Sequence, residues 1–462
     1  MAQPLPNSVE VPLTPGVGIA PAGLVPSPPP ARPEVERLQA YSAPLEGRRG
    51  LLRLDFNENT VGPSPRVVEA IRAIPADHYA IYPEYDGLRE AVVASLEACA
   101  GGLATRENGA TVGGRPVVGG PVGSGTVGAG AGGAGTVHAG TVAFPGLTAD
   151  HVGLFNGVDA AIHAVFHAYG ERGDQLLTTS PTFGYYDPCA RMQGMTTTVI
   201  PYRLPDFAFP LEEISAALAA PQPPKLLLLC NPNNPTGTRL AAEQVLTLAA
   251  AAPRTLVVVD ELYEAFTGDS VLPVLAERAR AVAAQTSAVG APNPEVGPPA
   301  AIDPFAEIPN LLVLRSLAKT AGLAGLRIGF AIGSPALVDR VSRVTGPYDI
   351  NSFAVTAAFA ALDDQPYVDA YVAEVAQARD WLVAQLLAAG VRHHAAGGNY
   401  LLLWPRAEAA GVEARLRQAG ILVRSMAGKP LIDGSLRVSL GTREQMQRFW
   451  AAYAAIEALQ LA

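Results

Sequence analysis

The sequence predicts an α/β chain, with a large domain built on a mostly parallel central sheet and a smaller α+β domain after it. Two observations carry this. Short apolar runs bounded by Pro, Asn and Asp alternate with Ala/Leu-rich stretches of helical character. That is the pattern of strands buried on both faces, with helices crossing between them. Near the C-terminus a long helical pattern, 367–387, precedes two further strand-like runs. In chain order, 226–229, 256–259, 311–314 and 328–332 read as strands of the parallel sheet. Residues 241–252 read as a helix between two of them. Residues 400–403 and 435–440 read as strands of the smaller domain.

Three stretches depart from that alternation. Residues 1–35 are rich in Pro, with Pro28-Pro29-Pro30, and hold no Lys or Arg before Arg32. A secretory signal opens on basic residues, so a disordered tail is expected instead. Residues 101–146 are dominated by Gly, Ala, Val and Thr, as in Gly128-Ala129-Gly130-Ala131-Gly132-Gly133. They read as a flexible insertion. A phosphate-cradling loop is the alternative, but the lysine that completes such a loop does not follow. Residues 283–306 hold Pro and Ala around Gly290 and Gly297 and read as a loop. The expected division is a tail over 1–35, a segment 36–80 joining the small domain, a large domain over 81–345 and a small domain over 346–462.

With 462 residues, 49% of them hydrophobic, the chain is long enough for two cores. A net charge of −9 argues against a nucleic-acid binder, which presents a basic face. No apolar run approaches the roughly 20 residues that span a bilayer, so a cytoplasmic enzyme without a membrane partner is expected. Cys99, Cys189 and Cys230 lie far apart, without metal or redox spacing. His163 and His167 are one helical turn apart. They are a potential metal pair or one face of an ordinary amphipathic helix. No third ligand is evident, and no metal is expected.

In open α/β sheets, ligands bind beyond the carboxyl ends of the strands. Three such ends carry polar residues: 230–237, 260–266 and 315–319. They converge on one crevice if their strands are neighbours. Of the 33 basic residues only Lys225, Lys319 and Lys429 are lysines, and arginine does not release its proton. Lys319 sits between an apolar run and a Gly/Ala/Leu stretch. It is either a snorkelling surface residue or a desolvated amine able to act as nucleophile and base. Asp260 ends Val257-Val258-Val259 and suits a metal or a protonated ring nitrogen. Tyr263 follows three residues later. Asn231-Pro232-Asn233-Asn234-Pro235-Thr236-Gly237 is a strong turn signal, with the Asn234 amide as its functional option.

An ordered series of segments gives these residues a context: Leu54-Asp55-Phe56-Asn57-Glu58-Asn59, Tyr82-Pro83-Glu84-Tyr85, Asn156-Gly157-Val158-Asp159, Ser180-Pro181-Thr182-Phe183-Gly184, 231–237, Asp260-Glu261-Leu262-Tyr263, 316–329, Asn399-Tyr400 and Leu436-Arg437-Val438-Ser439-Leu440-Gly441-Thr442. In this series the chain resembles fold-type-I, pyridoxal-phosphate-dependent aminotransferases of class I/II, and within them histidinol-phosphate aminotransferases. The resemblance covers about 50–100 and 150–450. It implies that Lys319 carries pyridoxal 5′-phosphate as a Schiff base and shuttles a proton during turnover. Asp260 would pair with the pyridinium nitrogen, and Asn234 and Tyr263 with the ring oxygen. Phe183, where relatives often have Tyr, would stack on the ring. Gly157 and Val158 at a helix N-terminus, Ser316, Arg327 and a partner subunit's copy of Tyr82 would hold the phosphate. Arg437, Arg424 and Asn57 would bind substrate. On the residues alone each of these two arginines reads as a surface charge before a ligand. The implied partners are a small-molecule amino donor and a 2-oxo acid, in a homodimer with shared sites. An aromatic amino acid donor, or decarboxylation of a phosphothreonine-like substrate, stays open as an alternative. A non-catalytic cofactor-binding regulator is a further alternative, although no basic DNA-binding module accompanies the motifs. Relatives often have an aromatic residue after Asn-Glu-Asn-Pro; here the order is Asn59-Thr60-Val61-Gly62-Pro63, which removes a contact for an imidazole.

Overall fold

The computed structural model describes residues 29–39, 46–106, 144–288 and 302–458. Strand β1 (Leu52–Arg53) precedes a seven-stranded sheet formed by β2 (Val152–Phe155), β3 (Gln175–Ser180), β4 (Thr196–Pro201), β5 (Leu226–Cys230), β6 (Leu256–Asp260), β7 (Leu311–Ser316) and β8 (Gly329–Gly333). Its spatial order is β2-β8-β7-β6-β5-β3-β4. Every residue of β5 and β6 is buried, as continuous runs of Leu and Val require when helices cover both faces. Each such side chain contributes about 1.5–3 kcal/mol by leaving water.

One expected parallel strand is not parallel. β8 runs antiparallel to both β7 and β2. The link 317–328 holds no helix, and a parallel return needs a crossover connection. The chain therefore turns back directly beside β7. The remaining neighbours β3–β4, β3–β5, β5–β6 and β6–β7 are parallel. Consequently the ends of β5, β6 and β7 are adjacent, with Cys230 opposite Asp260 and Asp260 opposite Leu314.

The second sheet is antiparallel, in the order β12-β13-β10-β9, from β9 (Arg392–His394), β10 (Tyr400–Trp404), β12 (Arg424–Ser425) and β13 (Leu436–Ser439). β11 (Ile421–Leu422) pairs in parallel with β1, so residues near 52 are stitched to the C-terminal part. Leu382 and Leu386 of the helix Gln365–Ala388 and Phe449 of the helix Arg443–Ile456 share one core with Leu401 and Leu403. Leu54 and Tyr263 reach into that core from the other side.

Helices extend into the stretches read as loops. The helix Leu88–Arg106 continues past residue 101, and the helix Val271–Ala288 past residue 283. Their alanines, leucines and charged residues favour helix strongly enough to carry it past the breakpoints read from composition. The far borders also belong to the fold: Phe144 and Phe305 are buried in one core. The expected flexible insertion otherwise lies outside the described residues, as does most of the loop. Most of the expected tail does too, although a short helix, Pro33–Glu36, begins within its last residues.

Candidate active site

The three strand ends meet in a polar cluster. After β5, the turn is fixed by its own amides. Asn231 accepts from the Leu240 N–H and donates to the Leu240 carbonyl, both at 2.9 Å. Asn233 donates to Pro181 O and accepts from Thr182 Oγ1. Gly237 has φ +73°, and a Cβ there would lie 2.6 Å from Gly397 N. Only glycine permits that approach. This geometry turns Asn234 inward, where its Nδ2 donates to Tyr263 Oη at 3.2 Å.

Asp260 closes β6. Tyr186 Oη–H donates to its Oδ2 at 2.8 Å, and Leu262 N–H to its Oδ1 at 3.2 Å. Burial pushes the carboxyl up to about 6, against these two hydrogen bonds. Tyr263 Oη receives both Asn234 Nδ2 and Asn57 Nδ2, each at 3.2 Å.

Beyond β7, Lys319 Nζ donates to Phe56 O at 3.0 Å. Loss of hydration first, and the Arg437 cation second, lower the amine to about 8. A free amine is therefore accessible near neutral pH, which separates Lys319 from an ordinary surface lysine.

An anion-binding corner lies at the start of the helix Val158–Tyr169. Gly157 is its N-cap, with φ +80°, and the first N–H groups of a helix favour an anion. A Cβ on Gly157 would fall 2.6 Å from Arg327 Nη2, and one on Gly329 would fall 2.7 Å from Val158 N. The two glycines thus let the guanidinium and the helix terminus share one space. Arg327 pairs with Asp159 at 2.9 Å. Ser316 Oγ donates to Ile328 O at 3.0 Å, so it bridges the two ends of the link.

Arg437 on β13 donates to Asn234 Oδ1 at 2.8 Å and to the Asp55 carbonyl. Arg424 stands opposite it on β12, with its guanidinium 5.6 Å from the Phe56 ring centre. It borders a cavity of about 210 Å³ with Asp55, Glu413 and Arg417. Phe183 meets Tyr186 edge-on at 5.5 Å.

Two expected residues stand apart. Asn57 is fully buried, and its amide is committed to Tyr263 and to Ser439 Oγ. Both ends of its amide are thus taken up by partners within the chain. Tyr82 is 71% exposed and stacks on Tyr348 at 4.0 Å, so the chain does not bring it to its own cluster.

Sequence reasoning missed Tyr186 and Arg48. Tyr186 opens the helix Tyr186–Met192, three residues after Phe183, which lies outside any helix, so no helical spacing marks it in the sequence. Arg48 is 8% exposed and binds Asp55 at 2.7 Å and Glu58 at 2.9 Å. No local pattern in Arg48-Arg49 distinguishes it from a solvated pair. The residues 55–59 braced in this way also hold Asn59, which donates to Thr320 O at 2.8 Å. His163 bonds the hydroxyl of Tyr185. Among the described residues, no group of three or more His, Cys, Asp or Glu is arranged to hold a metal.

Residues 142–452 match the family model described as aminotransferase class I and II. The chain belongs to this family. It is 30% identical over 435 residues to a histidinol-phosphate aminotransferase of Roseiflexus castenholzii, covering 90% of this chain and 94% of the relative. It is 28% identical over 403 residues to histidinol-phosphate aminotransferase 1 of Pseudomonas fluorescens, covering 86% and 90%. The crystal structure of the Sinorhizobium meliloti histidinol-phosphate aminotransferase in complex with pyridoxal-5′-phosphate has a similar fold, with TM-score 0.67 and 22% identity over 92% of this chain and 97% of that one. The enzyme is a pyridoxal-phosphate-dependent aminotransferase, acting on an amino donor and an oxo-acid acceptor.

The residues present fit that cofactor. A desolvated amine, a buried carboxylate and a helix terminus flanked by arginine match its aldehyde, ring nitrogen and phosphate. When bound, pyridoxal phosphate supplies an electron sink that stabilises charge developing at the substrate Cα. Lys319 is the group that would hold or move the Cα proton. Asp260 would keep the ring nitrogen protonated. Asn234 and Tyr263 would orient the ring oxygen, and Gly157, Val158, Ser316 and Arg327 the phosphate.

Proposed function

We propose that this aminotransferase moves the amino group of L-histidinol phosphate to 2-oxoglutarate, a cytoplasmic step of histidine biosynthesis. The observation that carries this reading is the pairing of Arg424 and Arg437 on adjacent strands, with Arg437 held by Asn234. Two guanidiniums on one sheet face suit a phosphomonoester, which each can bind as a fork. The histidinol-phosphate aminotransferases among its relatives support the same donor.

The working unit in this reading is a homodimer with shared sites. Tyr79, Ile81, Tyr82, Tyr348 and Phe353 are exposed large apolar side chains, with Tyr79 stacked on Phe353 and Tyr82 on Tyr348. Exposed aromatic patches of this kind are suited to a partner. A second copy would cover them and deliver its Tyr82 to the phosphate corner. In each copy, 81–345 form the cofactor domain and 346–462 the small domain, to which 36–80 contribute β1.

Mixing the enzyme with L-histidinol phosphate, without any oxo acid, tests the donor. The yellow absorbance of the bound cofactor should disappear within a single turnover, and 2-oxoglutarate should restore it. A yellow enzyme that stays unchanged would exclude this donor and direct the search to aromatic amino acids.

A further inference from the structure

We propose that Tyr186 is a positioning residue for the cofactor ring, holding Asp260 through its hydroxyl and Phe183 through its ring edge. The inference rests on Asp260 being the partner of the ring nitrogen. Tyr186 lies in the helix Tyr186–Met192 and is 1% exposed. Its Oη–H donates to Asp260 Oδ2 at 2.8 Å. Its ring meets Phe183 at 5.5 Å and 77°, an edge-to-face contact. One side chain thereby fixes two groups expected to touch the ring, one at its edge and one on its face.

The surroundings make the hydroxyl consequential. Among the described residues, Tyr186 is the one side-chain hydrogen-bond donor to Asp260, and the other donor is the Leu262 backbone. The ionisable groups around the carboxylate are Cys230 across the strand, Asp159, Lys319 and Tyr263. Burial raises both the Cys230 thiol and the Tyr263 hydroxyl, which keeps them neutral. The Asp159 charge disfavours ionisation of Asp260, and Lys319 favours it. Tyr186 opposes the cost of burial more than Lys319 does. Without its hydroxyl the carboxyl would take up a proton at higher pH and cease to be an anionic partner for the ring.

Tyr186→Phe keeps the ring and the contact with Phe183 but removes the donor. The test is equilibrium dialysis of pyridoxal phosphate against the full-length protein across a pH series, in four forms: wild type, Y186F, D260N and the double variant. On the acid side, affinity should begin to fall about one pH unit higher in Y186F, a roughly tenfold weakening at a given pH on that limb. In D260N the limb should be absent, and adding Y186F should change nothing further. An unmoved limb in Y186F, with D260N altered as stated, overturns the role of Tyr186. The same limb in D260N as in wild type overturns the assignment of Asp260 and, with it, this inference.

Discussion

Lys319 is the single residue on which the proposed chemistry turns, and its environment gives the sign of its titration. Its amine is lowered from 10.5 to about 8, first by loss of hydration and then by Arg437. Between those values the unfolded chain binds a proton that the folded chain does not. The stability of the cofactor-free protein should therefore rise as pH increases from about 8 to 10.5. Lys319→Ala should remove that rise while leaving the fold intact, as seen by circular dichroism and denaturant titration. Turnover should fall by about 10²- to 10⁴-fold, the usual effect of losing a positioned base. A Lys319→Ala enzyme with wild-type rate would sink the mechanism. Lys319, Asp260, Tyr263 and Arg327 were legible in the sequence because each lies beside a strand end or within an ordered motif. Tyr186 was not. Its partner Asp260 is 74 positions away, and only the packing of the helix Tyr186–Met192 against the sheet brings them together.

At the scale of elements, the segment 55–59 acts as a strap across the site. Adjacent carbonyls of Asp55 and Phe56 accept from Arg437 and Lys319, and Asn57 holds Tyr263. Arg48 clamps the strap through Asp55 and Glu58 and lies 4.5 Å from the Phe56 ring centre. Arg48→Met should destabilise the protein by about 3 kcal/mol, because it leaves the buried Asp55 carboxylate without its ion-pair partner. It should also raise the KM for the amino donor, since Arg437 loses a rigid anchor. Burial pushes the Glu58 carboxyl up, but Arg48 and Arg53 outweigh this and hold it below 4.5. The stabilisation from this pair is present above that value and is lost as pH falls through the lower folded value. Thermal melts of wild type and variant should accordingly converge in acid. An equal difference in melting temperature from neutral to acid pH would contradict the clamp. The strap's motif was visible in sequence, but its brace was not, because ion pairs across loops leave no periodic trace. The direction of β8 was equally hidden. Its residues look like those of any buried strand, and only the helix-free link before it forces the antiparallel return.

At the scale of the whole molecule, alternating strands and helices were enough to read the α/β class, because sheets buried on both faces need apolar runs. The surface carries a different message. Tyr82 is exposed on its own chain and packed against Tyr348, so it contributes to catalysis only if a second copy presents it. In a symmetric dimer each site would then combine one subunit's Lys319 with the other's Tyr82. Two defective variants, Lys319→Ala and Tyr82→Ala, should complement when unfolded together and refolded as a mixture. About half of the dimers would be mixed, and each would hold one site with both residues intact, giving about a quarter of wild-type activity for random pairing in a two-fold assembly. Each variant alone should bind or turn over poorly, Tyr82→Ala through weakened cofactor affinity. Activity of the mixture no greater than the sum of its parts would mean that the sites are not shared. In that case the aromatic surface serves contact alone, and the phosphate corner is complete within one chain.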